Sequence, residues 1–218
     1  MSTATAIPLI GHTRAKKAEV LEPATDAAAT PDALRAIARE LGCSRSKAAF
    51  AELVTQFDNH ADHMESHKDS PYLEITKDMV TVTETAPMGS VLIVPAPACG
   101  GSTVGTHVAA ALTAGNRVSL ATFGPVDSIT TLLHEVLSEI LTSQLFTVLS
   151  PGTGWETPIR QSVVVVTPDG AFANDQPWWR HHTATNHLTN IGDLVRFYGR
   201  SSSIHMPYRT SPYRGFAS

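Results

Sequence analysis

Three histidines, His60, His63 and His67, recur at i, i+3 and i+7, a spacing that puts side chains on one face of a helix. Neutral imidazoles so placed can ligate a metal, but tetrahedral closure needs a ligand from another segment, and a solvated polar face explains the spacing equally well. The run Cys99-Gly-Gly-Ser-Thr-Val-Gly105 follows an apolar stretch and precedes Thr106-His-Val-Ala-Ala-Ala-Leu112. That is the order of strand, glycine loop and helix in which backbone N–H groups receive a phosphate. It lacks a Gly-Lys-Ser/Thr, a Gly-x-Gly-x-x-Gly and an acidic residue closing the next strand at Phe123-Gly124, so a Gly-rich loop between two strands is the simpler reading. His134-Glu135 has no second histidine and Ser102 no nucleophile elbow, so hydrolase chemistry finds no support. Cys43 and Cys99 stand in unrelated contexts, two thiols of a reducing environment. His181, His182 and His187, beside Trp178-Trp179, read as packed tail residues rather than as a pH-responsive contact. The sequence therefore predicts no catalytic residue, metal ligand or cofactor, and no enzyme.

The elements that would hold these groups follow from pattern. Thr30-Pro31 is a helix start, with Thr as N-cap and Pro where no N–H is needed. Leu34, Ile37, Ala38 and Leu41 give that helix one apolar face, Gly42 ends it, and a second helix from Ser44 presents Ala48, Leu53, Val54 and Phe57. From Tyr72 the period changes to short β-branched runs: Tyr72–Glu74, Met79–Thr85, Ser90–Val94, Arg117–Phe123, Leu145–Leu149 and Ser162–Thr167, punctuated by Pro and Gly. Ile129, Leu132, Leu133, Val136, Leu137, Ile140 and Leu141 repeat at 3.6, capped by Asp127 or Ser128. A short helix is expected from Leu188 to Tyr198, followed by an extended tail.

The fold class expected is α+β: a β-rich core, an antiparallel sandwich or jelly-roll-like, with an N-terminal helical pair and extended terminal arms. Residues 1–30 form the N-terminal arm, 31–70 the helical pair, 71–170 the β-rich core with one amphipathic helix, and 171–218 a C-terminal extension.

Composition narrows the function classes. The 218 residues are 42% hydrophobic and 17% charged, with 16 Lys plus Arg against 20 Asp plus Glu and a net charge of −4. This excludes a disordered, fibrous or disulfide-stapled chain and argues against bulk electrostatic binding of nucleic acid. Residues 51–100 are acidic and 171–218 locally basic, and the low charge suits a subunit. Neither a signal peptide nor a membrane span is expected.

Two resemblances add to this. Residues 33–54, with Ala38 at the crossing, Gly42 at the turn and Ser44-Arg45-Ser46-Lys47 opening the second helix, resemble the helix-turn-helix of bacterial regulators. That resemblance implies Arg45 and Lys47 at phosphates or base edges, with the sheet as a sensor or dimerisation domain. Arg180-His-His-Thr183 followed by Ile191-Gly-Asp-Leu-Val-Arg-Phe-Tyr-Gly-Arg-Ser201 resembles the segment before the first sheet strand of picornavirus-like capsid proteins. Met206-Pro-Tyr-Arg-Thr-Ser-Pro212 is similar to their apolar-Pro-Tyr-x-Ser-Pro segment. The function this favours is a viral capsid or coat subunit, in virion or cytoplasm, that self-assembles through its terminal arms with copies of itself or sister subunits. Trp178, Trp179, Tyr208, Tyr213 and Phe216 would anchor the interface, and Arg196, Arg200, Arg209 and Arg214 would pair with a neighbour's carboxylates or with nucleic acid.

Overall fold

The computed structural model describes residues 28–44, 47–66, 72–75, 79–122, 127–150, 161–173, 179–180 and 191–207. Helices α1 (Pro31–Cys43) and α2 (Lys47–Ser66) come first, then β1 (Tyr72–Ile75), β2 (Met79–Pro87) and β3 (Ser90–Pro95). The chain continues through α3 (Gly101–Thr113), β4 (Arg117–Ala121), α4 (Ser128–Ile140), β5 (Phe146–Leu149), β6 (Ser162–Thr167), β7 (Gly170–Ala173) and β8 (Trp179–Arg180). It closes with α5 (Ile191–Phe197) and β9 (Gly199–Pro207).

Among the described residues the five helices accompany two sheets, which agrees with the α+β expectation at its coarsest. The sheets do not form an antiparallel sandwich or a jelly roll. The larger has the order β5-β4-β3-β6-β7-β8, and its central strands β5, β4, β3 and β6 run parallel. The runs Val91-Leu-Ile-Val94 and Ser162-Val-Val-Val-Val-Thr167 explain the difference: they are uniformly apolar rather than alternating, as is usual for strands of a parallel sheet. Ile93, Leu120, Val164 and Val166 are fully buried.

Helix α3 is a second correction. The Gly-rich segment is not a loop between strands but the first turn of a helix that links β3 to β4. Val104, Gly105, His107, Val108, Ala109, Ala110, Ala111 and Leu112 are all buried, which leaves only a narrow half-buried stripe at Ser102, Thr106 and Thr113. It lies against β3 and β4 on one side and touches α2, α4 and α5 on others. A helix covered on most of its circumference shows little 3.6 period in its sequence.

Both predicted caps form. Thr30 Oγ1 accepts from the Ala33 N–H at 3.2 Å, and Asp127 Oδ1 accepts from the Thr130 N–H at 2.6 Å. The helix pair buries Leu34, Ile37, Leu41, Leu53 and Phe57 and packs on α3 and α4.

The smaller sheet, β1-β2-β9, is antiparallel throughout. The segment expected to be an extension thus supplies a nine-residue strand, from Gly199 opposite Pro87 to Pro207 opposite Met79. At its start, fully buried Asn116 joins three segments: Oδ1 accepts from the Gly89 N–H at 3.0 Å, and Nδ2 donates to Ala111 O at 3.1 Å and Tyr198 O at 2.8 Å. The preceding Gly115 has φ +80°, which lets α3 end and β4 begin within a tight turn.

Candidate functional site

Parallel βαβ units bring the loops that follow each strand to one edge of the sheet, and that edge holds the candidate site. The chain steps from β3 through α3 to β4 and through α4 to β5, then returns to place β6 on the other side of β3. Strand order therefore reverses at β3, and the carboxyl ends beside such a reversal form the crevice of open α/β sheets. A cleft of about 260 Å³ lies there. Its walls are Pro95 to Gly100 after β3, Leu120 to Thr122 at the end of β4, Val104 of α3, and Asp127, Thr130 and His134 around α4. Ala96 N donates to Val166 O at 2.7 Å, which ties the loop after β3 to β6.

The glycines divide their duties. A Cβ on Gly101 would lie 2.7 Å from Ile129 Cγ2 and 2.8 Å from Thr130 N, so this glycine lets α3 begin against α4. A Cβ on Gly105 would overlap Leu53 Cδ2 and sit 3.2 Å from Leu133 Cδ2, so this one lets α2 approach α3. A Cβ on Gly100 meets nothing within 4 Å, and this glycine lines the cleft.

Asp127 caps two helices. Besides its bond to Thr130, its Oδ2 accepts from the Gly101 N–H at 3.0 Å, at the start of α3. Burial pushes this carboxyl up, but hydrogen bonds from Thr130, Gly101 and Ile129 outweigh it and hold the group below the usual aspartate value. The charge is thus present at neutral pH, and no Lys or Arg lines the cleft among the described residues. Burial, reinforced by that charge, pushes the Cys99 thiol up to about 11, so it stays protonated and is no ready nucleophile. Burial also lowers the pKa of His134, whose Nε2 is buried with no hydrogen-bond partner.

The residues singled out from the sequence are scattered. His60 is fully buried in α2 with Nδ1 2.8 Å from Gln56 O, His63 is half-buried, and His67 lies outside the described residues. Trp179 is half-buried, edge-on to His107 at 5.6 Å. Arg196 is 3.3 Å from Asp193 within α5, and Arg200 is exposed on β9. Trp178, Tyr208, Tyr213, Phe216, Arg209, Arg214, Arg45 and the histidines 181, 182 and 187 lie outside the described residues, and Lys47 opens α2. Asp127 and His134 were visible only as a cap and as half of a missing motif; they stand on one helix, and their meeting with Cys99 depends on the parallel order of β3 and β4.

No helix among the described residues is long and apolar enough to cross a membrane. No family model and no curated protein matches the chain. Among solved structures it is similar to the NADP+ complex of succinic semialdehyde dehydrogenase from Streptococcus pyogenes, at 16% identity and a TM-score of 0.47, over 55% of this chain and 30% of that one. It is also similar to the NAD+ complex of betaine aldehyde dehydrogenase from Staphylococcus aureus, at 16% identity and a TM-score of 0.45, over 55% and 27%. The NAD+ complex of aldehyde dehydrogenase from Bacillus cereus matches at 14% identity and a TM-score of 0.44, over 55% and 28%. The chain spans less than a third of the length of each. The central strands run parallel through helical crossovers and not as an antiparallel jelly roll, so the capsid resemblance and the virion location are corrected, and the expectation of no enzyme, which went with that reading, is corrected with it. The DNA-binding regulator is corrected with them. Its recognition helix would need a basic free face, whereas the exposed face of α2 carries Glu52, Asp58, Asp62 and Glu65, of which Asp62 and Glu65 hold Arg35 at 2.8 and 2.6 Å.

Proposed function

We propose that the cleft at the carboxyl ends of β3 and β4 binds a nucleotide, as the cofactor-binding unit of an oxidoreductase-type enzyme. The observation that supports this most is the position of the cleft, beside the strand-order reversal at β3, with Gly100 open to a ligand and the unpaired His134 Nε2 among its walls. Gly100, at the start of α3, offers open backbone to the ligand. A nicotinamide dinucleotide bound there would supply hydride transfer. The chain's own part is to bind and orient, since the Cys99 thiol is held protonated.

NAD+ and NADP+, the ligands of the similar dehydrogenases, are the probes to use. At a hundred times its dissociation constant, a ligand of the folded state stabilises it by about 2.7 kcal/mol. For a chain of this size that raises the melting temperature by roughly 5–10 °C. Gly100→Val, which has room in the fold, should abolish the shift. No shift with either dinucleotide, and no heat on titration, would remove the reading.

The expected association with further copies is also proposed, on a different surface. Register places Val80 and Val82 of β2 beside Met206 and Ile204 of β9, with Ile75 beyond Val80, all on one face of the small sheet. Ile75, Ile204 and Met206 are 63%, 57% and 45% exposed, which supports burial against a second copy. Arg200 shares this face and is the interface candidate that best fits the proposal.

A further inference from the structure

We infer that the outer edge of β9 docks the β9 of a second copy, the two strands pairing antiparallel about a two-fold axis so that both small sheets run on as one. The inference rests on the proposed association of copies and names the contact that makes it. The order β1-β2-β9 gives the small sheet two edges, and they differ. The β1 edge is four residues long. The β9 edge is nine residues long and takes no further strand among the described residues. Natural edges are blunted by shortness, by bulges, or by lysines and other charges along the strand. β9 is neither short nor bulged: its register with β2 runs unbroken from Pro87 opposite Gly199 to Met79 opposite Pro207. Arg200, at one end, is its single Lys, Arg, Asp or Glu, and its proline stands at the last position. Arg200 to Met206 are exposed on both faces of the strand.

The apolar face alone is too small to hold a dimer. With strands about 4.8 Å apart and a rise of about 3.4 Å per residue, the small sheet presents at most about 400 Å², against roughly 800 Å² per partner in a stable pair. Only one end of that face is apolar, since Glu84 and Arg200 stand toward the other. Edge pairing supplies what the face lacks, a ladder of backbone hydrogen bonds. Charge sets its direction. In an antiparallel pair centred on Ser203 the two Arg200 side chains stand about 20 Å apart, beyond a Debye length of about 8–10 Å, whereas a parallel pair would set them side by side. Arg200 then lies opposite Met206 of the second copy, where its aliphatic stem covers the thioether. A two-fold axis normal to the sheet keeps the apolar face of both copies on one side, so Ile204 of each, one residue from the centre, comes within reach of the other.

The test separates edge from face. Ser203 lies opposite Thr83, on the face of the sheet away from Ile204 and Met206. Ser203→Glu therefore sets two like charges across the joint between the copies and leaves the apolar face as it is. In native mass spectrometry and light scattering of the full chain at micromolar concentration, the wild type should be a dimer, and Ser203→Glu should weaken it by roughly tenfold or more. An equal mixture of Ser203→Glu and Ser203→Lys should restore the dimer as a mixed pair, which a folding defect would not allow. Hydrogen exchange at the β9 amides should slow as the wild type is concentrated. A wild-type dimer that Ser203→Glu leaves unchanged would overturn the inference and leave the association to the apolar face. Amides of β9 protected equally at every concentration would also overturn it, and would assign the edge to another segment of the same chain. A wild type that stays a single chain throughout would overturn the inference and the association together.

Discussion

The Tyr198 hydroxyl lies 2.8 Å from Nδ1 of His107, and both residues are fully buried, so the junction between α5 and β9 is fastened to the middle of α3. Burial, with a smaller effect of Cys99, holds the phenol well above its ordinary pKa, and it remains a neutral partner throughout the physiological range. Tyr198→Phe keeps the ring and removes only this bond. The loss should be about 1–2 kcal/mol, seen as a lower denaturation midpoint with an unchanged denaturant slope. A variant as stable as the wild type would show that the contact contributes nothing.

The two helix glycines predict a graded pair. Gly101→Ala sets a Cβ against the backbone nitrogen of Thr130 as well as the Ile129 side chain, and neither can retreat without moving α4. Gly105→Ala presses on the ends of Leu53 and Leu133, which are side chains. Both should destabilise, by roughly 1–3 kcal/mol, with Gly101→Ala the worse. Leu53→Val should recover part of the Gly105→Ala loss and none of the Gly101→Ala loss in chemical denaturation.

Acid should weaken the fold through His60. Burial, slightly offset by the bond to Gln56 and reinforced by His63, lowers its pKa from 6.5 to about 4. Between those values the unfolded chain carries the proton and the folded one does not. Stability is therefore complete above pH 6.5 and falls as pH drops toward 4, by about 3 kcal/mol in all. His134, also lowered, acts in the same direction. Melting curves of His60→Leu should lose most of this slope, and curves parallel to those of the wild type would refute the assignment.

Association is open to a surface test. Ile204→Thr with Met206→Thr replaces two exposed side chains of a strand with residues that strands accept. Light scattering should show the wild type heavier than one chain at micromolar concentration and the variant as a single chain.

What the sequence revealed depended on how much of each element faces water. Helix α1 and helix α4 each keep a polar face, so Leu34–Leu41 and Ile129–Leu141 showed their period, and Thr30 and Asp127 showed their caps. The positions of β1 to β6 were equally legible, whereas β7, β8 and β9 were not. Strand direction was hidden too, because an apolar run such as Ser162–Thr167 pairs parallel or antiparallel with the same residues. Helix α3 was hidden for the opposite reason to α1: being covered on most sides, it had little periodicity to show. The site inherited both failures. Cys99, Asp127 and His134 line one cleft only because β3 and β4 run parallel with α3 between them, whereas the residues chosen for chemistry were chosen for local spacing.

Strand β2 is made early in the chain and its partner β9 roughly a hundred residues later, since Pro87 aligns with Gly199. Until that partner arrives, one flank of β2 has unpaired backbone groups, and Val80 and Val82 stand without neighbours on that side. Such an edge invites pairing with another chain. The same strand that completes the small sheet therefore also sets the length of time during synthesis for which the nascent polypeptide needs protection from its neighbours.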